Sequence, residues 1–381
     1  MDAHAIADPR LWPDLAHAAP ANAALYELAA RSLGAATARD ADALGVELRL
    51  ALGSRVGAQG ATLAPLFTGA PSVDVARALW RALDAAWREA IGADGSLAVT
   101  IFALPIVVVV AGPAGCDGSL PGVIRDTAPL DALIHEHGAL RGNASAALAN
   151  ALVAPDALDL AHLPELLSWH RLEQRDDAMR RLAPAPLEYA AGHESVHARL
   201  AVGSAVAAPS VDLLDRGPAS GWAVPFTREL VRQLAAPDAT VLALPGAPAR
   251  ALQAVRQARV SQRDIAAQLF ASNALRRIRG RSGEPVAVVS AHRAADAPGA
   301  GELRLSLSSP FDARDAEGFR CPLYPLERAG DVAQMLVSLL VDCRVADIRV
   351  LAGVYDDRAG GSSQPLLFKP ETIPAGTATL H

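Results

Sequence analysis

Lysine is all but missing from this chain: Lys369 stands alone against 34 arginines. We read the bias as the mark of a GC-rich coding sequence rather than as a demand for bidentate guanidinium chemistry. Cysteine is scarce too. Cys116, Cys321 and Cys343 are odd in number, far apart and in no CxxC pair, which argues against a disulfide framework or a cysteine zinc site. Aromatic residues make up 4% of a chain that is 51% hydrophobic, so the core must be built from Ala, Leu and Val. A positive excess is also lacking. The net charge of −6 argues against a general nucleic-acid binder, though not against a local basic patch. The start, Met1-Asp2-Ala3-His4, has neither a basic n-region nor an apolar h-region, so the expected address is the cytoplasm, with no membrane span.

One stretch tests that last expectation. Between Asp94 and Asp117 there is no charge, and Leu97 to Ala111 is almost wholly apolar. A membrane helix needs about 20 such residues. This run is shorter, rich in valine and interrupted by Pro105, which predicts a buried strand, broken or bent at the proline and continued from Ile106 to Val110.

What the chain does have is repetition. Val46-Glu47-Leu48-Arg49-Leu50-Ala51-Leu52-Gly53-Ser54-Arg55-Val56 returns as Val196-His197-Ala198-Arg199-Leu200-Ala201-Val202-Gly203-Ser204-Ala205-Val206, identical at 7 of 11 positions. Residues 302–309 match 47–54 at 6 of 8. Each copy is followed by a helical stretch (Val75–Ile91, Thr227–Leu234, Val332–Cys343), an acidic turn and an apolar run beginning at Thr100, Thr240 or Ile348. Alternation puts Val46, Leu48, Leu50 and Leu52 on one face of a strand, and likewise Val196, Ala198, Leu200 and Val202, and Leu303, Leu305 and Leu307. The expected class is therefore mixed α/β (α+β): three diverged strand–helix–strand units with intervening helices, in one or two domains.

Further helices are expected at Ala23–Leu33, Leu130–Leu152 (broken at Gly138 and Gly142), Leu163–Leu182 and Arg250–Ile278, with a strand at Pro285–Ala291. Ser72 and Asp331 are the expected caps of the first and third repeat helices, with Gly92 ending the first. Pro184 and Pro186 suggest a division into residues 1–183 and 184–381, and Leu366-Leu367-Phe368 a docking point for the Gly-, Ser- and Pro-rich tail.

Four features could carry chemistry. His193-Glu194-Ser195-Val196-His197 matches HExxH, in which a helix sets two histidines on one zinc and the glutamate activates the bound water. On that reading His193 and His197 are metal ligands, Glu194 is catalytic, and Asp212 or Asp215 is a third ligand. The repeat instead places this string on a strand, where residues four apart are about 13 Å apart. His135-Glu136-His137 falls in the last turn of a helix, a favourable place for histidine beside exposed carbonyls. Gly112-Pro113-Ala114-Gly115-Cys116-Asp117-Gly118 follows a strand and precedes a helix, but lacks the Gly-Lys-Ser/Thr of a phosphate loop; Cys116 is a nucleophile only if the fold supplies a histidine.

The fourth feature is electrostatic. Residues 250–281 carry eight arginines against Asp264 alone, a net of +7. Arg256, Arg259, Arg263, Arg276, Arg277 and Arg279 form the candidate partner-binding surface, and with Phe270 the only aromatic among them base stacking is poorly supported. No cofactor is expected outside the zinc alternative. Repetition without a reactive constellation points to a non-catalytic cytoplasmic scaffold or interaction protein, with other protein subunits as its partners in a larger assembly. The alternatives are a zinc-dependent hydrolase using His193, Glu194 and His197, and nucleic-acid or acidic-partner binding through the arginine tract.

Overall fold

The computed structural model describes residues 22–56, 63–91, 97–158, 171–208, 210–214, 221–235, 239–243, 248–281, 283–293, 301–309 and 316–356. Gly92, the start of the Leu163–Leu182 segment, Asp215 and the Leu366–Phe368 segment lie outside them. The class is mixed α and β, as composition and periodicity indicate. The chain divides between Gln262 and Arg263 into two compact units.

The first unit opens with helices α1 (Ala23–Leu33), α2 (Ala38–Val56), α3 (Ala64–Thr68) and α4 (Val73–Ile91). The Ser72 hydroxyl accepts the Val75 amide at 3.2 Å, an N-cap that stops α4 from fraying. Leu79 and Leu83 of α4 are fully buried, and Tyr26 of α1 anchors α3 by donating to the Leu66 carbonyl at 3.0 Å.

The apolar run forms β1 (Ala98–Ala111), a strand and not a membrane helix; no described helix is long and apolar enough to cross a membrane. It pairs antiparallel with β5 (Glu194–Ala207) at all fourteen positions. On its other side it pairs with β6 (Ala239–Ala243) from Ile106 to Val110. With β3 (Ala146–Val153) the sheet order is β3-β5-β1-β6.

Pro105 does not break this strand. The Ala103 amide donates away from β5, to the Ala249 carbonyl, at 2.8 Å. Pro105, two residues on, turns its missing donor to the same side, just before the β6 ladder begins at Ile106. The ladder to β5 therefore loses nothing.

Alternate residues of β1 build two core layers. Phe102, Leu104, Ile106, Val108 and Val110 pack with Leu130 and Ile134 of α5 (Ala128–Glu136) and Phe226 and Leu230 of α7 (Ala223–Gln233); a third helix, α6 (Leu172–Arg181), lies between these two in the chain. Val99, Ile101 and Ala103 pack with Ala251, Ala254, Val255 and Ala258 at the start of α8 (Ala251–Arg281). A small ladder joins β2 (Gly118–Leu120) to β4 (Leu187–Tyr189).

The second unit takes up α8 from Arg263 onward. Its sheet, in order β10-β7-β8-β9, comprises β7 (Val286–Arg293), β8 (Gly301–Ser308), β9 (Glu317–Pro322) and β10 (Asp347–Asp356). The first three form an antiparallel meander, and β10 returns parallel to β7 through helix α9 (Ala329–Asp342). Leu303, Leu305 and Leu307 meet Ala267, Leu275 and Ile278 of α8 and Leu336 and Leu340 of α9.

Three expectations need correction. The first repeat copy is not a strand: residues 46–56 lie in α2. On a helix, residues two apart diverge by about 200°, so the alternating residues occupy two opposite faces instead of one. The second and third copies are strands, β5 and β8, but they are built into their sheets differently. β5 and β6 run parallel across β1, whereas β8 and β10 run antiparallel across β7. Leu130–Leu152 is α-helical only as far as Glu136, with a single 3-10 turn at Arg141–Asn143; its end is β3, stabilised by pairing with β5 despite high alanine content. The sheet of the first unit also takes strands from both sides of residue 183, while the compact division falls at 262/263.

The two aligned glycines report the difference. A Cβ on Gly53 would meet only the Ala86 methyl at 3.8 Å, whereas one on Gly203 would lie 2.4 Å from the Phe102 ring. Gly53→Ala is expected to stabilise the protein by about 0.5–1 kcal/mol through helix propensity. Gly203→Ala is expected to destabilise it by about 1–3 kcal/mol through overpacking. Chemical denaturation of both variants checks the signs; equal signs would contradict the helix–strand distinction.

Candidate functional site

His193 ends the turn before β5, and Glu194 to His197 are extended within it. Their register is fixed by β1, with Glu194 opposite Ala111 and His197 opposite Val108. His193 in the turn and His197 on the strand are thus not set on one turn of a helix, as a shared zinc in HExxH requires. His193 and Glu194 are exposed. His197 is half-buried, and its Nε2–H donates to the Glu188 carbonyl at 2.7 Å. Burial first, and the Arg199 charge second, push the imidazole below the ordinary histidine range. Arg199 donates to the Ala185 and Pro186 carbonyls, so both side chains fasten the 185–188 segment to β5.

Asp212 is already engaged: its carboxylate pairs with Arg250 and accepts the Leu214 amide at 3.1 Å. Among the described residues no group of three or more His, Cys, Asp or Glu side chains is arranged to hold a metal ion.

The glycine-rich turn after β1 leads into strand β2, not a helix. It lies against the turn before β5: Gly112 donates to the His193 carbonyl at 2.9 Å, and Asp117 accepts the Ala191 amide at 2.8 Å. A Cβ on Gly112 would lie 2.1 Å from the Ala190 carbonyl oxygen, so close backbone approach explains this glycine. Cys116 is exposed on this turn. His135 sits in the last turn of α5 and His137 at its C-cap, as the sequence predicts.

The arginine tract is helix α8, and much of its charge is engaged within the chain. In the first unit Arg259 pairs with Asp156, and Arg250 bridges Asp84 and Asp212. In the second, Arg263 pairs with Glu327 and donates to the Pro322 carbonyl, while its guanidinium stands 5.6 Å from the Tyr324 ring centroid. Arg277 donates to Glu317 at 2.8 Å, and Arg279 caps α9 through the Cys343 and Arg344 carbonyls at 2.8 and 2.9 Å. Arg276 is exposed, and Arg256 is half-buried.

Two polar constellations escape sequence reading. Arg250 and Arg88 both reach the Asp84 carboxylate, at 3.2 and 3.3 Å, in the core of the first unit. Burial opposes the Arg250 charge, but Asp84 and Asp212 outweigh it and raise its pKa. In the second unit the non-core face of β7 and β8 is polar yet buried. Ser290 Oγ and His292 Nε2 lie 2.9 Å apart, and Glu302 accepts from Arg304 at 2.7 Å and Arg320 at 3.1 Å. Alternation at Glu302, Arg304, Ser306 and Ser308 is visible in the sequence; that this face is buried is not. Cys321 is buried and its thiol is pushed up to about 12, chiefly by burial, so it is an inert core residue.

Asp131, on α5, accepts the Leu148 amide at 2.9 Å beside the irregularity in β3. Burial raises its pKa to about 6, held back by that hydrogen bond. Comparison with protein-family models, curated proteins and solved structures finds no match to this chain.

Two measurements follow from this geometry. His197→Ala is expected to lower stability by about 1 kcal/mol through loss of the Glu188 hydrogen bond, and His193→Ala to leave it unchanged; a shared metal would make the two variants equivalent. Asp131 is ordinarily a carboxyl near 3.8 and is raised to about 6 in the fold, so its protonated form is the favoured one. Stability relative to Asp131→Asn is therefore present below pH 3.8 and falls as pH rises through about 6. Thermal unfolding from pH 4 to 7 tests this; parallel profiles for the two proteins would refute it.

Proposed function

We propose that this chain is a non-catalytic, cytoplasmic scaffold or interaction protein that works as a component of a larger assembly. The observation that carries the reading is the outward surface of α2. Leu48 and Leu52 of that helix are 2% and 0% exposed, whereas Val46 and Leu50, on the opposite side, are 43% and 69% exposed. A helix that is apolar on two faces and packed on one leaves hydrophobic side chains for a further contact.

A second observation agrees. Arg250, Arg259, Arg263, Arg277 and Arg279 are engaged by the chain's own acids and carbonyls, so the arginine tract serves chiefly to hold α8 in place. The contact surface is therefore assigned to α2 rather than to Arg256, Arg259, Arg263, Arg276, Arg277 and Arg279.

Expressed in cells, the tagged chain is expected to sediment in an assembly heavier than its monomer. Leu50→Asp, which alters an outward side chain, should shift it to the monomer position with its circular dichroism unchanged. Sedimentation at the monomer position by the unaltered protein would end the assembly reading. A heavy assembly that survives Leu50→Asp would remove α2 from it.

A further inference from the structure

The α2 surface also specifies a class of occupant, an inference that rests on the interaction reading above. Val46 and Leu50 lie one turn apart, and exposed Ala43 and Gly53 continue the line in either direction. At 1.5 Å per residue the strip is about 15 Å long. Small residues at its ends and branched ones at its centre make a shallow seat for the side-chain ridge of another helix.

The charges beside the strip are uneven. At 100° per residue, Asp42 lies on one side of the Val46–Leu50 line and Glu47 on the other; both are exposed. Arg49, at the margin, is engaged by Glu89 at 3.0 Å. Arg39, near the start of the helix, is the opposing exposed charge, and Asp40 beside it accepts from Thr37 at 2.8 Å. The apolar pair is thus bracketed by two carboxylates. A second copy of α2 laid on the same strip brings like charges together. An anionic membrane surface meets the same repulsion.

We propose that the outward face of α2 docks an amphipathic helix of a partner protein. Aliphatic residues spaced i, i+3, i+4 and i+7 on that helix seat against Val46 and Leu50, and basic residues along its flanks face Asp42 and Glu47. The apolar contact supplies most of the affinity, and the two carboxylates select the partner's flanking charge.

The test uses the full chain and three dye-labelled synthetic helical peptides: a leucine face with lysine flanks, the same face with glutamate flanks, and lysine flanks with the leucines replaced by serine. Fluorescence anisotropy is expected to show saturable binding of the first, binding about tenfold weaker for the second, and none for the third. Leu50→Asp should abolish binding, and the double variant Asp42→Lys/Glu47→Lys should reverse the charge preference. Equal binding of the lysine and glutamate peptides, both lost in Leu50→Asp, would overturn the basic-partner inference and leave the α2 interface standing. Binding of no peptide, or binding indifferent to Leu50→Asp, would overturn helix docking at this strip; the cell-derived assembly then separately decides the interaction reading. Concentration-dependent dimerisation of the purified chain, lost in Leu50→Asp, would assign the strip to a second copy and overturn the partner proposal.

Discussion

Fourteen consecutive residues of β1 pair with β5 at every position, and both layers of the first unit's core are laid on the two faces of that strand. Because successive side chains alternate, each residue that fills one layer fixes its neighbour in the other, and a slip of one residue would exchange the two. The position of every feature on β5 follows from this pairing. His197 stands opposite Val108 and Glu194 opposite Ala111, so the HExxH string takes extended geometry from its partner strand whatever its own preference. Tertiary pairing outweighs a motif whose chemistry requires a helix.

Arginine provides the second constraint, once in each unit. Arg250 gathers Asp84 and Asp212, and Arg263 gathers Glu327 and the Pro322 carbonyl. Such buried pairs add little over well-packed apolar side chains, because desolvation offsets the attraction. Removing one partner is another matter, costing about 3–5 kcal/mol by leaving a buried charge uncompensated. These networks therefore fix where α8 begins and how the loop before α9 is held. They also take Arg250 and Arg263 out of the surface of that arginine-rich helix.

Much of the fold could be inferred from local patterns. Four-residue steps place Leu79 and Leu83 on the buried side of α4, and Ala23–Leu33, β7, β8 and α9 lie close to where periodicity puts them. Two regions misled for a physical reason. Residues 146–153, rich in alanine, carry helix propensity that pairing with β5 overrides. Residues 46–52 alternate as a strand would, yet fold as a helix because their apolar residues serve two faces. Of the candidate sites, Glu194 to His197 lie on a strand, as the alternation of Val196, Ala198, Leu200 and Val202 suggests, whereas the glycine turn follows a strand but leads into another strand and not into the expected helix. The Asp84–Arg250–Asp212 network joins residues far apart in the chain, and no local pattern announces it.

The misread segment is also the most informative one. Its alternation, a poor guide to secondary structure, becomes on a helix one buried face and one open face, and the open face is where we place the partner. The most direct measurement is thiol reactivity at Val46→Cys, Leu48→Cys, Leu50→Cys and Leu52→Cys, each in a Cys116→Ser/Cys343→Ser background, which leaves only the buried Cys321 of the native thiols. Rapid labelling at 46 and 50 with protection at 48 and 52 is the predicted result. Uniform labelling of all four positions would place them on one face, contradict the two-faced helix, and remove the surface on which the functional reading stands.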